Sequence, residues 1–342
     1  MKNNCFYFGV YTPDGICSLM SDSAYCCKKN YIAVGDSPAV KQQLFGFIKA
    51  KLDSENISYT DFRTSSGSGG IFCPQENFKI TDSVFSEKSR EKFSVISLEN
   101  YQNFPLFNTR LNEAEKIKKE REKELLRAQR FLAACRIIKS DLQRLENPYV
   151  DHTKTNRFAL RIWQRISNGM KGHAGTEKRR FVTCLSPDGN ELNMDAFDIY
   201  CEKMLVIRDS VGMCAEIIIN RLRRYAIGSG YDVISCPCPI NTETVEHLII
   251  PELGFGVFTS KYYHRDDFEN SRIIYAKRFL LRSAEEKKQR IDFSRTAYKK
   301  LMDEAFYSLK KCEECDIKLD EIFYDFTDLD TLNSDVCALL EK

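Results

Sequence analysis

No segment of this chain approaches the run of about 18 uncharged apolar residues that a membrane-spanning helix needs. Histidine is scarce, with four in 342 residues. His152, His173, His247 and His264 show no metal-ligand spacing and form no Cys-His or Ser-His-Asp arrangement, so each reads as a surface residue. Surplus charge is also lacking: 51 Lys and Arg face 49 Asp and Glu, a net +2 that names no partner class. The opening Met1-Lys-Asn-Asn-Cys-Phe6 has no apolar stretch of signal-peptide length. A cytoplasmic protein with reduced thiols is therefore expected, even with fourteen cysteines.

What is present is enough for two ordinary domains: 43% hydrophobic and 29% charged residues over a chain of this length. Two stretches have the same design. One is Tyr31-Ile-Ala-Val-Gly35-Asp-Ser-Pro-Ala-Val-Lys41-Gln-Gln-Leu44, and the other is Met204-Leu-Val-Ile-Arg208-Asp-Ser-Val-Gly212-Met-Cys-Ala-Glu-Ile217. Each is a short apolar run, a tight loop carrying Asp-Ser, and an amphipathic stretch, the order of strand, loop and helix in a nucleotide-binding βα unit. A second anchor repeats as well: Thr12-Pro-Asp-Gly15 returns as Ser186-Pro-Asp-Gly189. The offset is 174 for the turn (Gly189 minus Gly15) and 173 for the loop (Asp209 minus Asp36). Two matches at nearly one offset imply tandem domains, because solenoid repeats run only about 20–50 residues.

The fold class expected is α/β, two three-layer domains in tandem, each followed by a helical appendage. The boundaries read as 1–105 (α/β), 106–178 (helical), 179–281 (α/β) and 282–342 (helical). Strands are expected at Phe6–Val10, Tyr31–Val34, Ile57–Phe62, Phe93–Leu98, Met204–Ile207, Tyr231–Ser235 and Gly254–Ser260. Helices are expected over Lys41–Leu52, 110–147, Asn156–Ile166 and Glu216–Ala226, with a capping box at Ser283-Ala-Glu-Glu286 opening a last long helix. Ser65-Ser-Gly-Ser-Gly-Gly70 reads as a flexible loop just past a strand end.

A working phosphate loop has the form Gly-x-x-x-x-Gly-Lys-Ser/Thr. Its glycines let backbone N–H groups surround the phosphates, its lysine reaches the outer phosphates, and its hydroxyl holds Mg²⁺. The first stretch keeps Gly35 and Lys41, with Val40 at the second glycine and Gln42 at the hydroxyl. Its candidate ligand residues are Gly35, Asp36, Ser37, Lys41 and Gln42, where ATP and Mg²⁺ would bind. The second has Arg208 at the first glycine and Met213-Cys-Ala215 at Gly-Lys-Ser/Thr, leaving Asp209, Ser210 and Gly212. No apolar strand ending in an Asp for the metal is evident, and Glu99 and Ser260 are the nearest substitutes.

With the turns above, Gly230-Tyr-Asp-Val233, Ile250-Pro-Glu-Leu253, Phe258-Thr-Ser-Lys261 and His264 complete a likeness. The chain resembles an uncharacterised bacterial family of tandem P-loop ATPase-like proteins. That resemblance implies the P-loop NTPase fold and, in other members, ATP binding. The loop substitutions turn the expectation toward a pseudo-NTPase that binds or scaffolds a protein partner. One alternative is a weak ATPase or kinase-like enzyme using Lys41. Another is nucleic-acid binding through the segment 151–180, whose eight Lys and Arg face two acids. In the competing reading those charges face the acidic stretch 313–342. Cys236-Pro-Cys238 and Cys312-Glu-Glu-Cys315, as well as Cys26-Cys27, read as packed thiols.

Overall fold

The computed structural model describes residues 6–20, 27–85, 93–103, 110–260, 271–281 and 288–340. In chain order, β1 (Gly9–Thr12) and β2 (Gly15–Ser18) form a hairpin, followed by β3 (Lys29–Val34) and α1 (Pro38–Ser54). Next come β4 (Thr60–Thr64), β5 (Gly67–Cys73), β6 (Phe78–Asp82), β7 (Ser94–Ser97) and the 36-residue α2 (Leu111–Glu146). Then follow α3 (His152–Ile166), β8 (Glu177–Arg179), the hairpin β9 (Thr183–Ser186) and β10 (Gly189–Leu192), and α4 (Asp195–Tyr200). The rest is β11 (Lys203–Arg208), α5 (Met213–Gly228), β12 (Val233–Cys238), β13 (Asn241–Ile250), β14 (Phe255–Ser260), β15 (Ser271–Tyr275), α6 (Lys288–Phe323) and α7 (Leu329–Leu340).

The chain divides into two compact units. The first holds 1–130, 184–189 and 305–342; the second holds 131–183 and 190–304. The helical stretches are thus shared out. α2 and α6 each give one part of their length to each unit.

In the first unit the sheet order is β2-β1-β4-β5-β6-β3-β7. β3 lies between β6 and β7 and is parallel to both, while β5 is antiparallel to β4 and β6. Leu44, Phe45, Ile48 and Leu52 recur at helical spacing on α1, so one stripe of that helix is buried against the sheet beside Ile71, Phe78 and Ile80. Leu332 and Val336 of α7 complete this core.

The second unit has the order β15-β11-β14-β13-β12-β8. β11 lies between β14 and β15, parallel to both, and β13 is antiparallel to β12 and β14. Five strands of one sheet therefore match five of the other in chain order, spatial order and pairing sense, with α1 and α5 following the corresponding central strands. Ile218, Ile219 and Leu222 of α5 pack with Phe158, Ile162 and Trp163 of α3 in the second core.

Several elements depart from expectation. The serine- and glycine-rich run after β4 is a tight hairpin turn followed by strand: Ser68, Gly69 and Gly70 belong to β5. Its glycines allow close packing. A Cβ on Gly69 would lie 2.4 Å from the Thr64 Cγ2, and one on Gly70 would lie 2.4 Å from the Ile80 carbonyl oxygen. A run chosen for flexibility would show open space instead. The first strand starts at Gly9, three residues later than expected. β6 and β13 carry weak sequence signals: β6 is short, with Lys79, Thr81 and Asp82 among its five residues, and β13 opens on the continuous polar run Asn241-Thr-Glu-Thr244. The capping box at 283–286, Cys26, Lys261 and His264 lie outside the described residues.

Candidate functional site

The first loop joins the central strand β3 to α1, with only Gly35, Asp36 and Ser37 between them. Ser37 caps the helix and Pro38 supplies a first residue with preset φ. The Ser37 Oγ accepts from the Val40 N–H at 3.1 Å, and the Lys41 N–H bonds the Ser37 carbonyl at 3.2 Å. Val40, Lys41 and Gln42 therefore lie inside the helix, and their region forms no open cradle. Two donors at the helix start point at a carboxylate from α6. Ser37 Oγ donates to Asp320 Oδ1 at 2.6 Å and the Ala39 N–H donates to the same oxygen at 2.9 Å. A side-chain anion thus holds the positive end of α1, the place where helix termini bind phosphate. Gly35 is not in a left-handed conformation; a Cβ there would lie 2.9 Å from the Leu98 Cβ, so its role is close packing.

Lys41 is buried and its Nζ is 2.8 Å from Asp82 Oδ1, the two side chains being 7% and 12% exposed. Asp82 ends β6, directly beside β3, where Ala33 pairs with it in register. This is the strand ending in aspartate that the sequence did not disclose. Glu99 instead follows β7 in an exposed turn, and Ser260 ends β14 with its carbonyl accepting the Asp209 N–H. Gln42, at the metal-hydroxyl position, exchanges two bonds with the backbone of Ser68, at 2.8 and 3.1 Å, and so holds the β4–β5 turn.

A cavity of about 340 Å³ opens on this loop within the first unit, with Gly35, Asp36, Lys41 and Gln42 in its wall. Its cations are Lys41, Lys118 and Arg121; its carboxylates are Asp36, Asp82, Glu122 and Asp316. Each cation has a partner. Lys118 pairs with Asp36, and Arg121 Nε lies 2.5 Å from Asp316. Burial pushes the Asp316 carboxyl up, against the pull of Arg121. Three cations against four acids leave the wall with no positive surplus, so a polyphosphate gains no net attraction there.

The second loop reaches the same result by a shorter route. Asp209, only 1% exposed, follows β11 and turns its carboxylate into the start of α5. Oδ1 accepts from the N–H groups of Val211 (3.2 Å) and Gly212 (2.9 Å), and Oδ2 from that of Ala215 (2.9 Å). Gly212 has φ +89°, a left-handed conformation that glycine adopts without strain. Ser210 Oγ accepts from Arg295 Nη2 at 2.5 Å. Arg208 is exposed at the strand end and bonds the Tyr275 hydroxyl at 3.1 Å. Glu146, at the end of α2, has its acidity weakened by burial and then by the Asp209 charge, with Arg295 opposing, so its pKa rises to about 7. Glu146 Oε2 and Arg295 Nε have no hydrogen-bond partner among the described residues.

Elsewhere, His247 proves fully buried and not a surface residue. It stacks on Phe258 at 4.3 Å and its Nδ1 accepts the Thr259 N–H at 3.2 Å. His152 and His173 are exposed. Cys236 and Cys238 lie in β12 and Cys312 and Cys315 on α6, all four buried. Burial raises Cys312 to about 12. Among the described residues no group of three or more His, Cys, Asp or Glu is placed to hold a metal, and no helix is long and apolar enough to cross a membrane. Comparison with family models, with curated proteins and with solved structures gives no match.

Proposed function

We propose that this chain is a tandem pseudo-NTPase of P-loop descent that acts by binding or scaffolding a protein partner. The observation that carries the reading is that both helix starts following the central strands are filled by the chain's own carboxylates, Asp320 in one unit and Asp209 in the other. The common strand order of the two sheets supports descent from one duplicated unit. Phosphoryl transfer is catalysed almost wholly by positioning and electrostatics. With Lys41 committed to Asp82, Gln42 to the Ser68 backbone and Met213-Cys-Ala215 in the other loop, neither contribution is on offer. In this reading neither ATP nor Mg²⁺ is held at residues 35–42.

Calorimetric titration of the full chain with ATP, with and without Mg²⁺, tests this. The expected result is no saturable heat up to about 1 mM, a binding free energy weaker than about −4 kcal/mol. Metal-dependent ATP binding that disappears in Lys41→Gln, or phosphate release by purified protein, would overturn the reading in favour of an enzyme.

A further inference from the structure

Helix α3 contains no acidic residue; one face is buried, and the other carries its bases together with the exposed Leu160. Phe158, Ala159, Ile162 and Trp163 are consumed in the core of the second unit. Facing away are Arg157, Arg161 and Arg165, all exposed and without a hydrogen bond or ion pair among the described residues. Of the other bases of the stretch 151–180, Lys178 is exposed on β8 and the remaining four are engaged or buried. Lys154 bonds the Arg278 carbonyl, Lys171 pairs with Glu252, Arg179 bonds the Thr242 carbonyl, and Arg180 is buried. Asp151 at the helix start accepts the Lys154 N–H at 2.8 Å as its cap. Three arginines are left as a separate, uncompensated row.

We infer that this row binds the sugar-phosphate backbone of double-stranded nucleic acid, independently of base sequence. This goes beyond the pseudo-NTPase reading and does not depend on it. The three positions are four residues apart, so they rise about 6 Å per step and about 12 Å in all along the helix. A strand that rises about 3.4 Å per phosphate offers about four phosphates over that length, so each arginine step spans nearly two of them. Arginine forks donate two parallel hydrogen bonds to a phosphate, which lysine does not. Single strands are held chiefly by bases stacked on aromatic rings. The aromatics of α3 are turned into the core, which leaves the backbone as the recognised feature. A membrane surface is the wrong partner for the same reason. An interfacial helix inserts its apolar face, and here that face is already covered.

The test is fluorescence anisotropy of the full chain with a labelled duplex of about 20 base pairs in several sequences, over a range of salt. Sequence-independent binding is expected, weakening steeply with salt. The triple variant Arg157→Gln/Arg161→Gln/Arg165→Gln is expected to lose at least about tenfold in affinity, and its log–log salt slope should flatten by roughly 2–3. Its circular dichroism should not change, since the side chains are exposed. The corresponding triple lysine variant should recover part of the binding. No duplex binding by the wild-type chain at about 50 mM salt, or equal affinity and slope in wild type and triple glutamine variant, overturns the proposal. So does binding of a polyglutamate peptide or anionic vesicles in place of the duplex.

Discussion

Lys41 separates a structural ion pair from a working phosphate lysine, and Lys41→Met is the perturbation that measures the difference. A lysine waiting for a nucleotide can be removed at little cost to folding. Here its removal would leave Asp82 charged, 12% exposed in its side chain, with the Val84 N–H at 3.0 Å as its principal remaining donor. Breaking one side of a buried pair costs about 3–5 kcal/mol. The surviving Val84 bond places the expected loss near the lower end, about 3 kcal/mol. The double variant Lys41→Met/Asp82→Leu removes both charges and is expected within about 1 kcal/mol of wild type. Urea unfolding followed by circular dichroism, with hydrogen exchange of α1 amides, gives both numbers. A Lys41→Met loss below about 1 kcal/mol, or a double variant as unstable as the summed singles, would refute the pairing as the reason for Lys41.

Three further outcomes are expected. Glu146 holds its proton in the folded chain up to about pH 7 but releases it near 4.5 when unfolded, so stability falls as pH rises between those values and is level above. Glu146→Gln should therefore be more stable than wild type at pH 8, by up to about 3 kcal/mol, and should match it near pH 4; an equal difference at both pH values would contradict the burial of that carboxyl. Asp320→Ala removes two hydrogen bonds to a carboxylate at the start of α1 and should cost about 1–3 kcal/mol, seen as faster amide exchange confined to the first turn of that helix. Gly212→Ala forces a side chain onto a residue with φ +89° and should cost about 1–3 kcal/mol by thermal unfolding, whereas Gly46→Ala, with nothing within 4 Å of the added carbon, should be neutral or stabilising.

Both strand-loop-helix units were legible in sequence because their signals are local. An apolar run precedes the Asp-Ser turn, and an amphipathic stripe such as Leu44, Ile48 and Leu52 follows within twenty residues. The partners that decide the chemistry are not local. Asp82 lies 41 residues from Lys41, and Asp320 lies 283 from Ser37. The strand that carries Asp82 hides itself by burying Lys79 and Thr81 among its apolar residues. The burial of His247 is hidden for a related reason: Glu246 and the polar start of β13 make its neighbourhood look wet in sequence, while its ring packs against Phe258 and Phe197. Asp209 is the exception, since a carboxylate that caps its own helix needs no distant partner, and its identity in the loop was visible from the start.

The first unit takes Leu332 and Val336 from the last helix into the core that surrounds α1. During synthesis at roughly 5–20 residues per second, the N-terminal sheet must wait on the order of tens of seconds for those residues. Until then the side of α1 that those residues cover stays open on the ribosome, and a nascent chain cut short before residue 329 would be a ready client for chaperones. The order in which the ribosome makes the units is thus the reverse of the order in which they can be finished.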